Sequence, residues 1–239
     1  MHFRNKYNRT IAMRIGIIVA MDKEFAQLQT LATDKSVETH DGRTFVKGRI
    51  GDNEVVMQQC GIGKVNSAIG AVEMINRYSP DLVISTGVAG GADTSLNVTD
   101  VVVSTECCYH DVYCGDECKM GQVMGQPARF GCPAELVNKA TSLSCGTHVR
   151  SGLIVSGDWF VNTCEKMQSI LDNFPDAEAV DMESCSIAQT CNLYNTPFIS
   201  FRIISDIPLK DHKAQMYFDF WERMAEGSFE VTKAFLESI

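Results

Sequence analysis

Three acidic residues of the chain stand where an apolar, strand-like segment gives way to the next element. Glu24 and Asp206 each follow a β-branched run, and Glu183 closes the short segment Val180–Glu183. Each also fits an ordinary role, because Glu24 and Glu183 suit the first turn of a helix and Asp206 suits a turn. Around one crevice, however, the three would supply the carboxylates that general acid–base hydrolysis of a glycosidic bond requires.

Two glycine-rich segments are the second chemical signal. Gly61-Ile62-Gly63-Lys64 opens a helix-like segment, and Gly87-Val88-Ala89-Gly90-Gly91 ends a strand-like one. Neither contains the G-x-G-x-x-G of dinucleotide folds or the full G-x-x-x-x-G-K-[ST] of the P-loop, which disfavours nicotinamide and ATP chemistry. These glycines indicate either tight turns or a close approach of the backbone to a ligand.

The elements that must position these residues alternate along the chain. The apolar patterns predict strands at Arg14–Ala20, Arg43–Ile50, Glu54–Gln59, Asp81–Thr86, Val101–Ser104, His148–Val155 and Pro197–Ile204. They predict helices at about Asp22–Leu31, Gly61–Tyr78, Asn162–Asn173, Glu183–Tyr194 and Met216–Ser238. The alternation predicts a single-domain, three-layer α/β/α fold with a central mixed, mainly parallel sheet. In such sheets ligands bind at the carboxyl ends of the strands.

Composition limits the classes of partner. The 239 residues, 45% of them hydrophobic, suffice for one substantial core. With 21 Lys and Arg against 30 Asp and Glu, the net charge is −9, which disfavours nucleic acid and anionic membranes as partners. No apolar stretch reaches the ~18 residues that span a bilayer. We expect a soluble, cytoplasmic protein that acts on a small molecule.

The amino-terminal segment is expected to lie outside the domain. Residues 1–12 begin with a basic stretch, but Arg14 interrupts the apolar run that follows and no small-residue cleavage site precedes Asp22. A secretory signal is therefore disfavoured. We interpret residues 1–12 as a disordered extension or an upstream start, and residues 13–239 as the domain.

Ten cysteines are spread through the chain, many of them in apolar segments, as is typical of reduced thiols that behave as small hydrophobic residues. One cluster has a metal-like composition: Cys107, Cys108, His110, Cys114 and Cys118. It lacks a C-x-x-C pair and matches zinc spacing only loosely. We expect neither a metal nor an organic cofactor.

Seven segments, taken in order, resemble the motifs of the methylthioadenosine/S-adenosylhomocysteine nucleosidases, a family with the nucleoside phosphorylase-like fold. They are IGIIVAMDKE (Ile15–Glu24), GIGKVNSAIGA (Gly61–Ala71), TGVAGG (Thr86–Gly91), YHD (Tyr109–Asp111), GLIVSGDWFVN (Gly152–Asn162), AVDMES (Ala179–Ser184) and RIISD (Arg202–Asp206). The resemblance runs from about Met13 to the carboxyl terminus.

This resemblance implies catalytic roles. Glu24 matches the family's general base, which polarises the attacking water, and Arg202 is placed to hold that water or to stabilise charge near it. Asp206 matches the general acid at adenine N7, with Ser205 orienting it. An acid on the leaving base suits a transition state that resembles an oxocarbenium ion.

The resemblance also implies the substrate contacts. Glu183 matches the carboxylate that hydrogen-bonds the ribose 2′- and 3′-hydroxyls, with Met182 packed under the sugar. Phe160 matches the ring that stacks on the purine, and the backbone of Val161 reads the adenine edge. The other implied contacts, several of them in the apolar 5′-alkylthio pocket, are Met21, Ile62, Ala89, Gly90 and Phe218.

Two features bear on the attacking water and on assembly. Val88 stands where many members of the family have a Ser that helps to hold the water. In the family, the loop that corresponds to Val112–Arg129 lends apolar groups across a homodimer interface to the neighbouring 5′ pocket. Long loops of compact domains are often functional. We therefore expect a symmetric homodimer with this loop near the partner's site.

Three other functions are compatible with parts of this pattern. A nucleoside phosphorylase needs cationic groups on phosphate, whereas position 24 is acidic and Ser85–Gly87 offers no Arg, which favours hydrolysis. A related nucleosidase acting on aminofutalosine, 5′-deoxyadenosine or AMP would share the carboxylates and differ in the 5′ pocket. A catalytically silent binding protein on the same fold would not need all three carboxylates.

Overall fold

The computed structural model describes residues 12–210, 220 and 229–239. The described strands are β1 Arg14–Val19, β2 Thr33–His40, β3 Arg43–Ile50, β4 Asn53–Gln59, β5 Leu82–Gly91, β6 Val101–Tyr109, β7 Phe130–Gly131, β8 Val149–Ser156, β9 Ala177–Asp181 and β10 Phe198–Asp206. The described helices are α1 Asp22–Leu28, followed by a 3₁₀ turn at Gln29–Leu31, α2 Lys64–Tyr78, α3 Ala134–Thr141, α4 Cys164–Leu171, α5 Ser184–Leu193 and α6 Glu230–Ser238. Residues 1–11, Phe218 and much of the predicted helix Met216–Ser238 lie outside the described residues.

Strand β1 lies inside the sheet, with β4 and β5 as its parallel neighbours. Its side chains alternate between two helical layers. Ile15 and Ile17 pack in the cluster that holds apolar residues of α1, α3 and α6, whereas Ile18 packs with those of α2 and α5. A strand buried on both faces has a continuous apolar sequence, which is why β1 could be predicted. The three-layer α/β/α arrangement and the mixed sheet are confirmed.

Part of the sheet closes on itself. Strand β5 pairs with β1, with β10 in parallel and with β9 in antiparallel orientation. From β10 the sheet continues through β6, β8 and β9 and returns to β5, where Gly90 and Gly91 pair with Val180 and Ala179. This closure gathers the ends of β5, β8, β9 and β10 around one space, a feature that the alternation of elements does not reveal.

Several elements differ from the sequence prediction. Strand β5 continues to Gly91 instead of ending at Thr86, because the TGVAGG segment stays extended and pairs with β10. Strand β6 extends to Tyr109 for a similar reason, since it pairs with β8 as far as Ser156. Strand β2 was missed because it is polar and largely exposed. The hairpin between β3 and β4 is confirmed, with Ile50 opposite Asn53.

None of the helices in the described part of the chain is both long enough and apolar enough to cross a membrane.

Candidate active site

A pocket opens where strands β1, β4, β8, β9 and β10 end and where the last part of β5 passes. The predicted site residues that line it are Met21, Glu24, Ile62, Ala89, Gly90, Phe160, Val161, Met182, Glu183, Ser205 and Asp206. Arg202 lies next to this set but is not part of the lining, and Phe218 lies outside the described residues. The predicted site residues therefore lie together at the carboxyl ends of the strands, as expected for this sheet.

Glu24 lies in the first turn of α1 and is 1% exposed. One carboxylate oxygen accepts hydrogen bonds from the backbone N–H groups of Ala20 at 3.1 Å and Met21 at 3.0 Å, and the other accepts one from Val88 at 2.9 Å. Burial raises the pKa of Glu24, against the opposing effect of Arg202 and of these three donors. The bond from Met21 makes Glu24 a helix cap as well as a pocket carboxylate.

Glu183 lies between β9 and α5 and is 6% exposed. Its carboxylate accepts a hydrogen bond from the backbone N–H of Gly63 at 2.9 Å. Burial, followed by the carboxylate of Asp181, raises the pKa of Glu183 to about 7, although Arg202 and the Gly63 donor act to lower it. At neutral pH this carboxyl can therefore accept or donate a proton.

The turn that presents Gly63 explains its two glycines. Gly61 and Gly63 have φ values of 90° and 95°, which favour glycine. A Cβ on Gly63 would lie 2.9 Å from a carboxylate oxygen of Asp158. The segment is thus both a tight turn and a place of close backbone approach.

Asp206 is the last residue of β10 and is 8% exposed. The hydroxyl of Ser205 donates to its Oδ1 at 2.7 Å and lies 3.3 Å from the carbonyl oxygen of Ala89. The register of β10 against β5 shifts between Ile204 and Asp206. Such an irregularity redirects side chains at the end of a strand, and here both Ser205 and Asp206 line the pocket.

Arg202 is buried beneath the pocket and 1% exposed. Its Nε forms a 2.6 Å ion pair with Asp181 and donates to the Ser184 hydroxyl at 3.0 Å, and Nη2 donates to Ser85 at 2.8 Å. Burial lowers the pKa of Arg202, but the carboxylates of Asp181, Glu183 and Glu24 outweigh that effect and raise it. Arg202 thus places a fixed positive charge under the carboxylates.

Gly87 explains how Glu24 and Arg202 come close. A Cβ at this position would lie 2.5 Å from Glu24 Oε1 and 2.7 Å from Arg202 Nη1. Only a residue without a side chain leaves room for both groups beside strand β5.

The mouth of the pocket is aromatic. Phe160 is 58% exposed and Trp159 is 49% exposed, and both line the pocket. The Trp159 ring also contacts His110 edge-on, with the centroids 5.4 Å apart. Partly exposed aromatic rings at an opening suit stacking on a planar base.

Sequence reasoning missed four residues that line the pocket, namely Ala20, Val180, Trp159 and Asp181, and the last two carry side chains suited to binding or catalysis. Trp159 lies in GDWFVN and Asp181 in AVDMES, so both stood inside motifs already singled out. Asp181 lines the pocket and also accepts hydrogen bonds from the hydroxyls of Ser156 and Ser184, each at 2.5 Å. Its position at the end of a strand was a usable signal, because ligands bind at the carboxyl ends of the strands in such sheets.

The cysteine cluster has a different place in the fold. Cys107 and Cys108 are neighbours on β6 and pack in separate apolar clusters on opposite faces of the sheet. Within the described ranges no group of three or more His, Cys, Asp or Glu side chains is arranged to hold a metal ion.

Fold and pocket together define a class of protein. The family model of the phosphorylase superfamily matches residues 14–237, which include the whole described sheet and every predicted site residue.

Similarity to individual proteins narrows this class. The 5′-methylthioadenosine/S-adenosylhomocysteine nucleosidase of Staphylococcus saprophyticus is 41% identical over 229 residues, which cover 94% of this chain and 100% of that protein. The S-adenosylhomocysteine nucleosidase of Streptococcus pyogenes, solved in complex with 5-methylthiotubericidin, has a TM-score of 0.89 at 30% identity and covers 97% of this chain and 99% of its own. The Colwellia psychrerythraea nucleosidase, solved with adenine, has a TM-score of 0.87 at 37% identity and covers 95% of both chains. This chain belongs to the 5′-methylthioadenosine/S-adenosylhomocysteine nucleosidase family.

Proposed function

We propose that this protein hydrolyses the N-glycosidic bond of 5′-methylthioadenosine and S-adenosylhomocysteine, releasing adenine and the 5-thio-substituted ribose. The observation that carries the proposal is a pocket that presents Glu24, Glu183 and Asp206 together, each less than a tenth exposed. The names of the similar proteins support the substrate class.

In the proposed reaction Glu24 and Asp206 act on opposite partners of the bond that breaks. Glu24, whose pKa is raised, takes a proton from the attacking water as its oxygen bonds to C1′. Asp206, oriented by Ser205, gives a proton to adenine N7 as the C1′–N9 bond breaks. The proton lost by water and the proton gained by adenine leave both products neutral. The ion pair with Asp181 and the hydrogen bond to Ser85 hold the positive charge of Arg202 in place near Glu24.

We assign the other pocket residues to substrate binding. Glu183 accepts hydrogen bonds from the ribose 2′- and 3′-hydroxyls, with Met182 under the sugar. Phe160 stacks on the purine and the Val161 backbone contacts the adenine edge. The remaining proposed contacts, which include the 5′-alkylthio pocket, are Met21, Ile62, Ala89, Gly90 and Phe218.

Hydrolysis is favoured over phosphorolysis by the charge of the lining. No Lys or Arg side chain is among the described residues that line the pocket, and Arg202 is already bonded to Asp181, Ser184 and Ser85. A phosphate nucleophile would need free cationic donors at that position.

A panel of 5′-substituted adenosines tests the function. Adenine release should be fastest with methylthioadenosine and S-adenosylhomocysteine, should yield free 5-substituted ribose and should not depend on phosphate. Ribose 1-phosphate as the product would establish a phosphorylase instead. Faster cleavage of aminofutalosine or 5′-deoxyadenosine would reassign the 5′ pocket.

We further propose that the protein acts as a homodimer. Val65 and Ile69 are exposed on α2, one helical turn apart, and Tyr113 and Met124 are exposed in the Val112–Arg129 loop. Large apolar side chains that are exposed on a helix and on a long loop suit an interface with a second copy. A fully active monomer at micromolar concentration, measured by light scattering, would contradict this proposal.

We also propose a cytoplasmic location. All ten cysteines lie in the described part of the chain and none is disulfide-bonded, and several, such as Cys60 and Cys185, are buried. Reduced thiols are typical of proteins of the reducing cytoplasm. The test is fractionation of the cells that make the protein. Detection of the protein in the membrane fraction or the exported fraction would contradict a cytoplasmic location.

A further inference from the structure

We propose that Asp111 is a positioning residue that ties the two walls of the pocket mouth together and thereby sets the affinity for the purine. The inference rests on the proposed function, because it takes the pocket to bind a purine nucleoside. Asp111 is not among the residues that line the pocket, so it acts through its neighbours.

Asp111 follows β6 and its side chain is 8% exposed. Its two carboxylate oxygens accept hydrogen bonds from the Lys64 ammonium at 2.9 and 2.8 Å. Oδ2 also accepts one from the backbone N–H of Asp158 at 2.9 Å. One buried carboxylate therefore holds the first residue of α2 and the loop that follows β8.

A second contact closes this arrangement into a ring. Asp158 Oδ1 accepts a hydrogen bond from the backbone N–H of Lys64 at 2.9 Å. Lys64, Asp111 and Asp158 thus bond each to the other two, and we call these three residues the mouth clamp. A closed ring of charge-assisted hydrogen bonds resists relative movement of its members more than a single ion pair does.

Each side of the mouth clamp continues directly into the pocket. Next to Lys64, the backbone N–H of Gly63 holds Glu183 and the side chain of Ile62 lines the pocket. Next to Asp158, Trp159 and Phe160 form the aromatic side of the mouth. The mouth clamp therefore sets the spacing between the ribose-binding carboxylate and the rings proposed to meet the base.

The chemistry of position 111 requires a carboxylate. The side chain receives three hydrogen bonds and balances an ammonium group. An Asn has a single acceptor oxygen and would turn an N–H donor toward another donor. Asp111→Asn therefore breaks the mouth clamp although it keeps the shape of the side chain.

The test uses the intact protein with Trp221→Phe, which leaves Trp159 as the only tryptophan of the two in the chain. In this parent, Asp111→Asn should raise the Kd of adenine and the KM of the nucleoside about tenfold, the scale of one charge-assisted hydrogen bond. The kcat should change by less than about threefold, because no reacting group is altered. The Trp159 emission should move to longer wavelength and be quenched more by acrylamide, even without ligand.

The matched control is Asp176→Asn. Asp176 also accepts two hydrogen bonds from a basic side chain, Arg129, at 2.6 and 3.0 Å, but neither residue lines the pocket. The Asp176→Asn substitution should therefore leave the adenine Kd and the Trp159 emission unchanged. Asp158→Ala provides a milder break, because that side chain is 48% exposed, and should change both readouts in the same direction as Asp111→Asn.

The possible outcomes distinguish a failure of the proposed function from a failure of the role proposed for Asp111. A parent protein that neither binds nor releases adenine would overturn the proposed function, while the Trp159 emission would still decide whether the mouth clamp orders the loop. If Asp111→Asn and Asp158→Ala keep the parent's adenine Kd and Trp159 emission, Asp111 only stabilises the fold and the proposal is wrong. If Asp111→Asn does not fold, the same decision rests on Asp158→Ala.

Discussion

Replacing Glu183 by Gln tests the electrostatics of the pocket without changing its shape. The amide oxygen of Gln can still accept the hydrogen bond that Glu183 receives from Gly63. What the substitution removes is a carboxyl that must ionise in a buried site beside Asp181 and Glu24. The effect should therefore appear in the pH dependence of stability.

The sign and size follow from the pKa of Glu183. Folding raises it from an ordinary 4.5 to about 7, with burial as the largest cause. The folded state then binds the proton more tightly than the unfolded state, so this contribution to stability is fully present below pH 4.5 and is lost as the pH rises through 7. Each pKa unit corresponds to about 1.4 kcal/mol, so the loss between pH 5 and pH 8 is on the order of 3 kcal/mol.

The assay is urea unfolding of the wild type and of Glu183→Gln at pH 5, 6, 7 and 8. The variant should gain stability relative to the wild type by about 2–3 kcal/mol across this range. Glu38→Gln is the flat control, because the hydrogen bonds from Lys47 and Tyr78 lower the pKa of Glu38 below its ordinary 4.5. That contribution to stability is fully present above pH 4.5 and is lost only at more acid pH, so the difference between the wild type and Glu38→Gln should stay nearly constant from pH 5 to 8. A difference between wild type and Glu183→Gln that stays flat from pH 5 to 8 would refute the reasoning.

Three further substitutions test the catalytic assignment. Asp206→Asn keeps the shape of the side chain and removes the acidic proton, so kcat should fall at least ~10²-fold. The binding free energy of an uncleavable analogue should change by only ~1–2 kcal/mol. Retention of more than about a tenth of wild-type kcat would exclude Asp206 as the general acid. Glu24→Gln should also lower kcat by ~10²–10⁴-fold in a protein with an unchanged circular dichroism spectrum, and near-normal turnover would remove Glu24 as the base. Gly87→Ala places a Cβ 2.5 Å from Glu24 Oε1 and should cost ~1–3 kcal/mol in unfolding free energy as well as activity, whereas Gly131→Ala, with open space around it, should cost neither.

The parts of the fold that could be predicted from the sequence are those whose pattern is local. Strand β1 is buried on both faces and reads as an uninterrupted apolar run, and the β3–β4 hairpin carries its own turn residues. The family resemblance added the order of the motifs, and through it the positions of Glu24 and Asp206. Their convergence in one pocket followed from the rule that ligands bind at the carboxyl ends of strands.

The parts that could not be predicted depend on contacts between distant segments. Strand β9 is five residues long and is defined by its neighbours β5 and β8 rather than by its own composition. The closure of the sheet depends on pairing at Gly90 and Gly91, which the sequence presents as turn-like glycines. The sequence showed Asp111 only as part of the YHD motif. Its structural role could not be predicted, because its hydrogen-bond partners Lys64 and Asp158 each lie 47 residues away along the chain.

The charge balance beneath the pocket bears on the catalytic roles that we propose for its carboxylates. Arg202 lowers the pKa of both Glu24 and Glu183, yet burial outweighs it and leaves both pKa values raised. Its shortest contact is the 2.6 Å ion pair with Asp181, so that carboxylate takes the largest share of the positive charge. Glu24 and Glu183 are therefore incompletely neutralised, and each holds a proton more readily than an exposed Glu does. A base that takes a proton from water benefits from a raised pKa, and burial is the largest cause of that rise at both Glu24 and Glu183.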